Sequence, residues 1–373
     1  MMPIPFHKAH LGEAEIDAVT DSIRSGWLTM GPKTMEFEKQ FGAYIGANFS
    51  VSMNSATAAL HLALKAIGVT AGDEVILPTH TFIATAEVVT YFNAIPVLCD
   101  VDPDHFLMDV RQMESLITPR TKAIIPVHFA GAACDMDAIM AIAKKHGLRV
   151  ICDAAHSLPT VYRGRKIGTI SDITCFSFYA TKTLSTGEGG MATTADPDLA
   201  KSMKINRLHG ISRDAWDRYS VPGSWYYEVV DNGHKYNMTD LNAALGLVQL
   251  AKCDWMRNER FQIAQKYSAA FEGTVVRPLL EPEYGESAWH LYVIRVANRD
   301  EVIKAMTLAG IGSSVHFIPV HRHPYYQRTY GFSEAQFPVS DNGYLESLSL
   351  PLYPGLSDTD IDRIVTCVLS VAR

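Results

Sequence analysis

The sequence has no uninterrupted apolar run near the roughly 20 residues that a bilayer-spanning helix needs, so no membrane span is expected. Cysteine is scarce: Cys99, Cys134, Cys152, Cys175, Cys253 and Cys367 are scattered, with no CxxC pair. Neither a zinc ribbon nor a disulfide framework is suggested, and no metal site is expected. Several of these cysteines sit in apolar, strand-like runs, where the side chain acts as a small hydrophobe. The opening segment, MMPIPFHKAHLGEAEID, lacks a basic start followed by an apolar stretch. It does not read as a signal peptide, and the cytoplasm is the expected compartment. Positive charge is also short, with 33 Lys plus Arg against 40 Asp plus Glu and a net charge of −7. That argues against a non-specific nucleic-acid binder, while a few local cations can still hold an anionic small ligand. No GxxxxGK[ST] segment is present, which excludes a Walker-type phosphate loop.

What is present is an ordinary globular composition, 47% apolar and 20% charged over 373 residues, long enough for two or three domains. From about residue 50 to 195, short apolar runs read as buried strands: 74–77, 95–99, 123–127, 150–152, 173–178 and 190–193. Helical patterns lie between most of them, at 56–67, 83–92 and 136–146. Such alternation predicts βαβ units and a mostly parallel sheet. Residues 237–272 read as one long helix, or two with a bend, after a capped start at Asn237-Met-Thr-Asp240. Beyond it, strand signals at 289–296 and 314–318 and helix signals at 299–308 and 358–371 fit a smaller α/β domain. The expected division is a large domain over 1–250 and a small one over 251–373, with the first ~20 residues packed on the small domain.

Three segments carry chemistry. In Asn54-Ser-Ala-Thr57 a small polar cluster opens a helical pattern. The free N–H groups of a helix start make an anion site, though the same residues also serve as a plain N-cap. In Val150-Ile-Cys-Asp-Ala-Ala-His156, Asp153 closes an apolar strand, where ligands of open α/β sheets bind. A carboxylate there can hold a proton on a heteroaromatic nitrogen, or simply cap the next helix. In Phe176-Ser-Phe-Tyr-Ala-Thr-Lys182, a strand runs into a hydroxyl-rich turn, followed by Thr186-Gly-Glu-Gly-Gly-Met191. A lysine beside a desolvated cofactor can form a Schiff base and then shuttle protons, whereas a loop lysine is commonly just solvated. Together these segments supply a phosphate cradle, a partner for a pyridinium nitrogen and a reactive amine, in the order expected of a pyridoxal phosphate enzyme.

With Ser25-Gly-Trp-Leu-Thr-Met-Gly-Pro32, Gly233-His-Lys-Tyr-Asn-Met-Thr-Asp240 and Val315-His-Phe-Ile-Pro-Val-His321, these segments give the chain its resemblance. It resembles the sugar aminotransferases of the DegT/DnrJ/EryC1/StrS family, which are fold-type I pyridoxal phosphate enzymes. The resemblance implies that Lys182 is the Schiff-base lysine and proton shuttle. It implies that Asp153 pairs with the pyridinium nitrogen and that His156 lies beside the phenolic oxygen. It puts Phe82 on the pyridine ring, and the phosphate on the N–H groups of Ala56 and Thr57 and the Ser177 hydroxyl. Asn237 matches a position that reaches the phosphate of the neighbouring subunit, implying a homodimer with shared sites. Lys235 stands where many relatives carry Asn, and Asn237 replaces a frequent Arg. Trp27, Thr29, Lys235 and His321 are expected around the sugar-nucleotide pocket. Arg207, His209 and Arg213 offer charge toward a pyrophosphate or a carboxylate, or else a solvated face. Three histidines within His316-Phe-Ile-Pro-Val-His-Arg-His323 lack a carboxylate or cysteine, so zinc is not expected.

The implied reaction moves an amine from L-glutamate to a nucleotide-linked keto sugar. The Thr-Gly-Glu-Gly-Gly ending resembles relatives that aminate C4, and a UDP-linked 4-keto sugar is favoured. The alternatives are a sugar 3-aminotransferase of the same family and a non-catalytic regulatory protein that binds the cofactor.

Overall fold

The computed structural model describes residues 2–212 and 226–373. In the larger sheet, β1 (Phe49–Met53) is followed by β2 (Glu74–Pro78), β3 (Ile95–Cys99), β4 (Thr121–Ile124) and β5 (Arg149–Asp153). A small hairpin, β6 (Val161–Tyr162) and β7 (Arg165–Lys166), precedes β8 (Ile173–Ser177) and β9 (Gly190–Thr194). The seven-stranded sheet has the order β1-β9-β8-β5-β4-β2-β3, and β9 alone runs against the rest. Its strands are buried on both faces, one core centred on Phe37, Phe41, Phe176 and Phe178, the other on Leu60, Leu64, Val75 and Ile151. This is why the strands read as continuous apolar runs.

A second sheet follows, β10 (Arg277–Pro278), β12 (Tyr292–Arg295) and β13 (Ser347–Leu350), while β11 (Gly285–Glu286) joins the small hairpin. Helices Arg299–Leu308 and Asp358–Val371 complete a third core around Tyr267, Ile294, Val302 and Ile364. Ile4 enters that core through a bridge to Ile311, whereas the helix Glu13–Ser25 packs on Asp240–Ala251. The 237–272 pattern resolves into two helices, Asp240–Ala251 and Cys253–Phe271, which meet at Lys252. The strand expected at 314–318 is reduced to a single bridge between Ser314 and Ser349. Pro319 has no N–H to extend a ladder, and His316 and Phe317 turn toward the carboxyl ends of the large sheet instead.

Candidate active site

The carboxyl ends of β1, β8 and β5 converge, and each delivers one part of the site. After β1, Ser55 caps the helix Ala56–Ala66, its hydroxyl accepting the Ala58 N–H at 3.1 Å. Ala56 and Thr57 open that helix, where the helix itself supplies no acceptor for their N–H groups and its dipole favours an anion. Gly190 pairs with Met53 on one side and Ser177 on the other. A Cβ there would lie 2.4 Å from the carbonyl carbon and oxygen of Ser55 and 2.6 Å from the Ala56 nitrogen. Glycine therefore lets β9 pass close against the helix start, with Ser177 on the neighbouring strand. The Ser177 oxygen accepts the Tyr179 N–H at 3.3 Å, which leaves its own proton to donate.

Asp153 ends β5 and is buried. One carboxylate oxygen accepts the Thr85 hydroxyl at 2.8 Å, the other the Ala155 N–H at 3.1 Å. Thr85 is in turn 2.8 Å from the Thr81 hydroxyl, so a short relay locks the carboxylate. Burial still holds the Asp153 pKa above the usual carboxylate range, against the pull of these donors and of Lys182. A protonated ring nitrogen beside it would offset that burial by giving the ionised carboxylate a charge-assisted hydrogen bond. His156 follows, its Nδ1 accepting the Ala130 N–H at 3.2 Å. Burial drives its pKa well below the ordinary histidine value. A neutral ring whose Nδ1 accepts must carry its proton on Nε2, so His156 presents a donor. Phe82, 56% exposed, meets Phe317 at 5.6 Å between centroids, and Phe317 meets His156 at 5.7 Å.

Lys182 lies in a strap between β8 and β9. Its N–H reaches Tyr179 O at 2.9 Å, Thr186 N–H reaches Phe178 O at 2.9 Å, and Asn242 pins Thr186 O at 2.7 Å. Burial pushes the Lys182 pKa down to about 8, opposed by Asp153 and assisted by Arg260. Its Nζ is 3.4 Å from His290 Nε2. His7, His156, His290 and His316 all feel the Lys182 charge, and burial holds all four below the ordinary histidine range. Thr85, His290 and Arg260 were invisible as site residues in the sequence, since no local motif surrounds them. For Thr85 the i, i+4 spacing from Thr81 is the one available signal.

The remaining expected residues divide. Trp27 donates its indole N–H to Met30 O at 3.2 Å, and the Thr29 carbonyl accepts the Asp240 N–H at 3.1 Å. Lys235 is exposed and bridges to Leu208, and His209 is exposed. Asn237 is buried, its amide donating to Met238 O at 3.2 Å, while the neighbouring Tyr236 carbonyl accepts the Asn54 N–H at 2.7 Å. His321 packs inside the protein. It is fully buried, 2.7 Å from the Thr79 hydroxyl and 3.3 Å from Asp341, with its ring on Phe337. It fastens the end of β2 to the helix Pro338–Glu346. His316 is the histidine of that segment that lines a cavity with His290, its Nδ1 2.9 Å from the Ser349 hydroxyl. Arg207 is buried in an ion pair with Glu38 and also donates to Ser52 O at 3.0 Å, so its charge is engaged within the protein rather than on a solvated face. Arg213 lies outside the described residues.

A buried acid at a strand end, a neutral histidine donor, a half-buried lysine and a glycine-gated helix start fit pyridoxal phosphate group by group. Ala56, Thr57 and Ser177 suit its phosphate, Asp153 its ring nitrogen, His156 its phenolic oxygen and Lys182 its aldehyde carbon. On this fold they define a fold-type I pyridoxal phosphate-dependent sugar aminotransferase. The chain belongs to the DegT/DnrJ/EryC1/StrS aminotransferase family, whose profile matches residues 9–369. It is 49% identical to the spore coat polysaccharide biosynthesis protein SpsC of Bacillus subtilis, over 99% of this chain and 97% of that protein. Spr1654 of Streptococcus pneumoniae, a candidate sugar aminotransferase solved in its PMP form, superposes with a TM-score of 0.94 at 38% identity, covering 98% of each chain. Its PLP form gives 0.93 at 37% identity, over 99% of this chain and 98% of that one. DesV of S. venezuelae, solved with a ketimine intermediate, gives 0.92 at 32% identity, over 99% of this chain and 98% of that one.

Proposed function

We propose that the protein transfers the amine of L-glutamate to a nucleotide-linked 4-keto sugar, with UDP as the favoured carrier. The observation that carries this reading is the half-buried Lys182 amine, with a pKa near 8, set beside the Asp153 and His156 pair. Pyridoxal phosphate, when bound, supplies the aldehyde that takes up an amine and the electron-accepting ring that eases loss of the α-proton. Lys182 moves that proton. With a pKa of about 8, roughly a quarter of the amine is neutral at pH 7.5, against about one part in a thousand for an ordinary lysine. Asp153 holds the proton on the ring nitrogen, the His156 Nε2–H steadies the phenolic oxygen, and Phe82 covers one ring face. Because one site serves donor and acceptor in turn, the kinetics are ping-pong.

Asn237 of the partner subunit completes the phosphate site in this reading, which makes the working unit a homodimer. Trp27, Thr29 and Lys235 border the sugar nucleotide. The Thr186-Gly-Glu-Gly-Gly-Met191 turn supports C4 as the position aminated, and SpsC's part in spore coat polysaccharide biosynthesis supports a product destined for a polysaccharide. Cytoplasmic residence fits the six free thiols. The test is a panel of nucleotide-linked 4-keto and 3-keto sugars incubated with glutamate and read by mass spectrometry. An amino sugar from UDP-linked 4-keto substrates is expected. Turnover restricted to 3-keto sugars, or no turnover with any member, contradicts the reading.

A further inference from the structure

His290 is buried and sits where the two α/β units meet. Its flanking residues dock on the turn that also holds His156: Ala288 N–H reaches Gly131 O, and Leu291 N–H reaches Ala130 O, both at 3.1 Å. Arg260 holds the His290 carbonyl at 3.3 Å and Leu352 O at 2.7 Å. The imidazole lies on the His156 ring, 4.4 Å between centroids, with Nε2 3.4 Å from the Lys182 Nζ. The ring is therefore held against His156 and at Nε2, which leaves Nδ1.

Among the described residues, Nδ1 of His290 has no hydrogen-bond partner, and neither does Nε2 of His7. Both residues line the same small cavity of about 50 Å³, together with Phe6, Thr181 and His316. A cavity of that size with several polar atoms in its wall admits water, and buried polar atoms without protein partners are normally paired with it. Water donating to Nδ1 leaves the imidazole proton on Nε2, facing the lysine.

We propose that His290 is a positioning residue for Lys182. Its Nε2–H donates to the neutral amine, keeping that amine unprotonated and in place while Nδ1 is paired with cavity water. The inference rests on the reading of Lys182 as the reacting amine. The other groups facing that amine are Asp153, which favours its charged form, Arg260, which opposes it, and the neutral rings of His7, His156 and His316. Among the described residues, His290 is the one with a ring nitrogen within reach of Nζ.

Competitive acetylation of the apoprotein across pH, with the Lys182 peptide quantified by mass spectrometry, reads the amine's titration directly. The wild type should inflect near pH 8. His290→Leu keeps bulk but removes the donor, and should raise the inflection by about one unit, slowing labelling at pH 7.5 roughly eightfold. His290→Gln restores an N–H donor and should return the inflection to the wild-type value. An unchanged or lowered inflection in the leucine variant overturns the proposal, as does a glutamine variant shifted as far as leucine. Should the variants fail to fold, nitrogen-15 NMR of the histidine-labelled wild type decides: an Nε2–H tautomer at His290 is expected, and an Nδ1–H tautomer overturns the proposal. Borohydride reduction of the holoenzyme reports separately whether Lys182 carries the cofactor, so the two ideas fail independently.

Discussion

Substituting Gly190 tests whether the phosphate cradle depends on close backbone approach. The added methyl of Gly190→Ala would sit 2.4 Å from two Ser55 main-chain atoms and 2.6 Å from the Ala56 nitrogen. Ordinary contact begins at 3.4 Å, so β9 and the helix start must part by about 1 Å. The obstructing atoms are backbone, held by the β1 and β8 ladders, and no side chain can swing away. Overpacking of this kind costs about 1–3 kcal/mol of stability. The larger effect falls on the phosphate. A displacement of that size removes one charge-assisted hydrogen bond from Ala56 or Thr57, worth about 1.5–3 kcal/mol, or roughly a 10- to 150-fold loss of cofactor affinity. Titrating apoprotein with pyridoxal phosphate, followed by absorbance, measures it, with urea unfolding of the apoprotein as the control for folding. A folded variant that binds within twofold of wild type would refute the cradle.

Other perturbations separate site from scaffold. Thr85→Val removes a hydroxyl from Asp153 at nearly constant volume, so cofactor affinity should fall by about 1–3 kcal/mol with little change in Tm; an unaltered affinity rules out the relay. Arg207→Met strands Glu38 and should cost about 3–5 kcal/mol of stability in urea, with substrate KM unchanged; a raised KM at normal stability would put Arg207 at the substrate site. His128 is fully buried and its pKa is lowered to about 3 by burial, so between pH 3 and 6.5 the unfolded chain binds the extra proton. Stability therefore falls as pH drops below 6.5, by about 1.4 kcal/mol from this group at pH 5.5. His128→Asn, which keeps an acceptor for the Cys134 N–H, should flatten that slope by the same amount, and an unchanged slope would show that His128 does not contribute.

The parallel strands are legible in the sequence because burial on both faces leaves continuous apolar runs such as Val150-Ile-Cys152. β1 is not, because Ser50 and Ser52 alternate with its apolar residues as if one face were wet. Both serines are in fact buried, spending their hydroxyls on Glu38, whose carboxylate in turn holds Arg207. The same hidden ion pair explains why Arg207 resembles a free cation in the sequence. His321 and His316 show the reverse problem. Both sit in one short segment, and only the packing of Phe337 and Asp341 decides that His321 is walled in while His316 lines a cavity with His290. The strand-end and turn residues Asp153, His156, Lys182 and Ala56 are readable because their positions follow from the sheet itself. His290 and Arg260 come from the second unit, more than 75 residues beyond Lys182, and only the tertiary fold brings them together.

The most direct measurement of the central claim is covalent. Holoenzyme treated with borohydride and digested should yield one cofactor-bearing peptide with the added mass on Lys182, and Lys182→Ala should yield none. Mass on any other lysine, or none at Lys182 in a protein saturated with pyridoxal phosphate, would contradict the account.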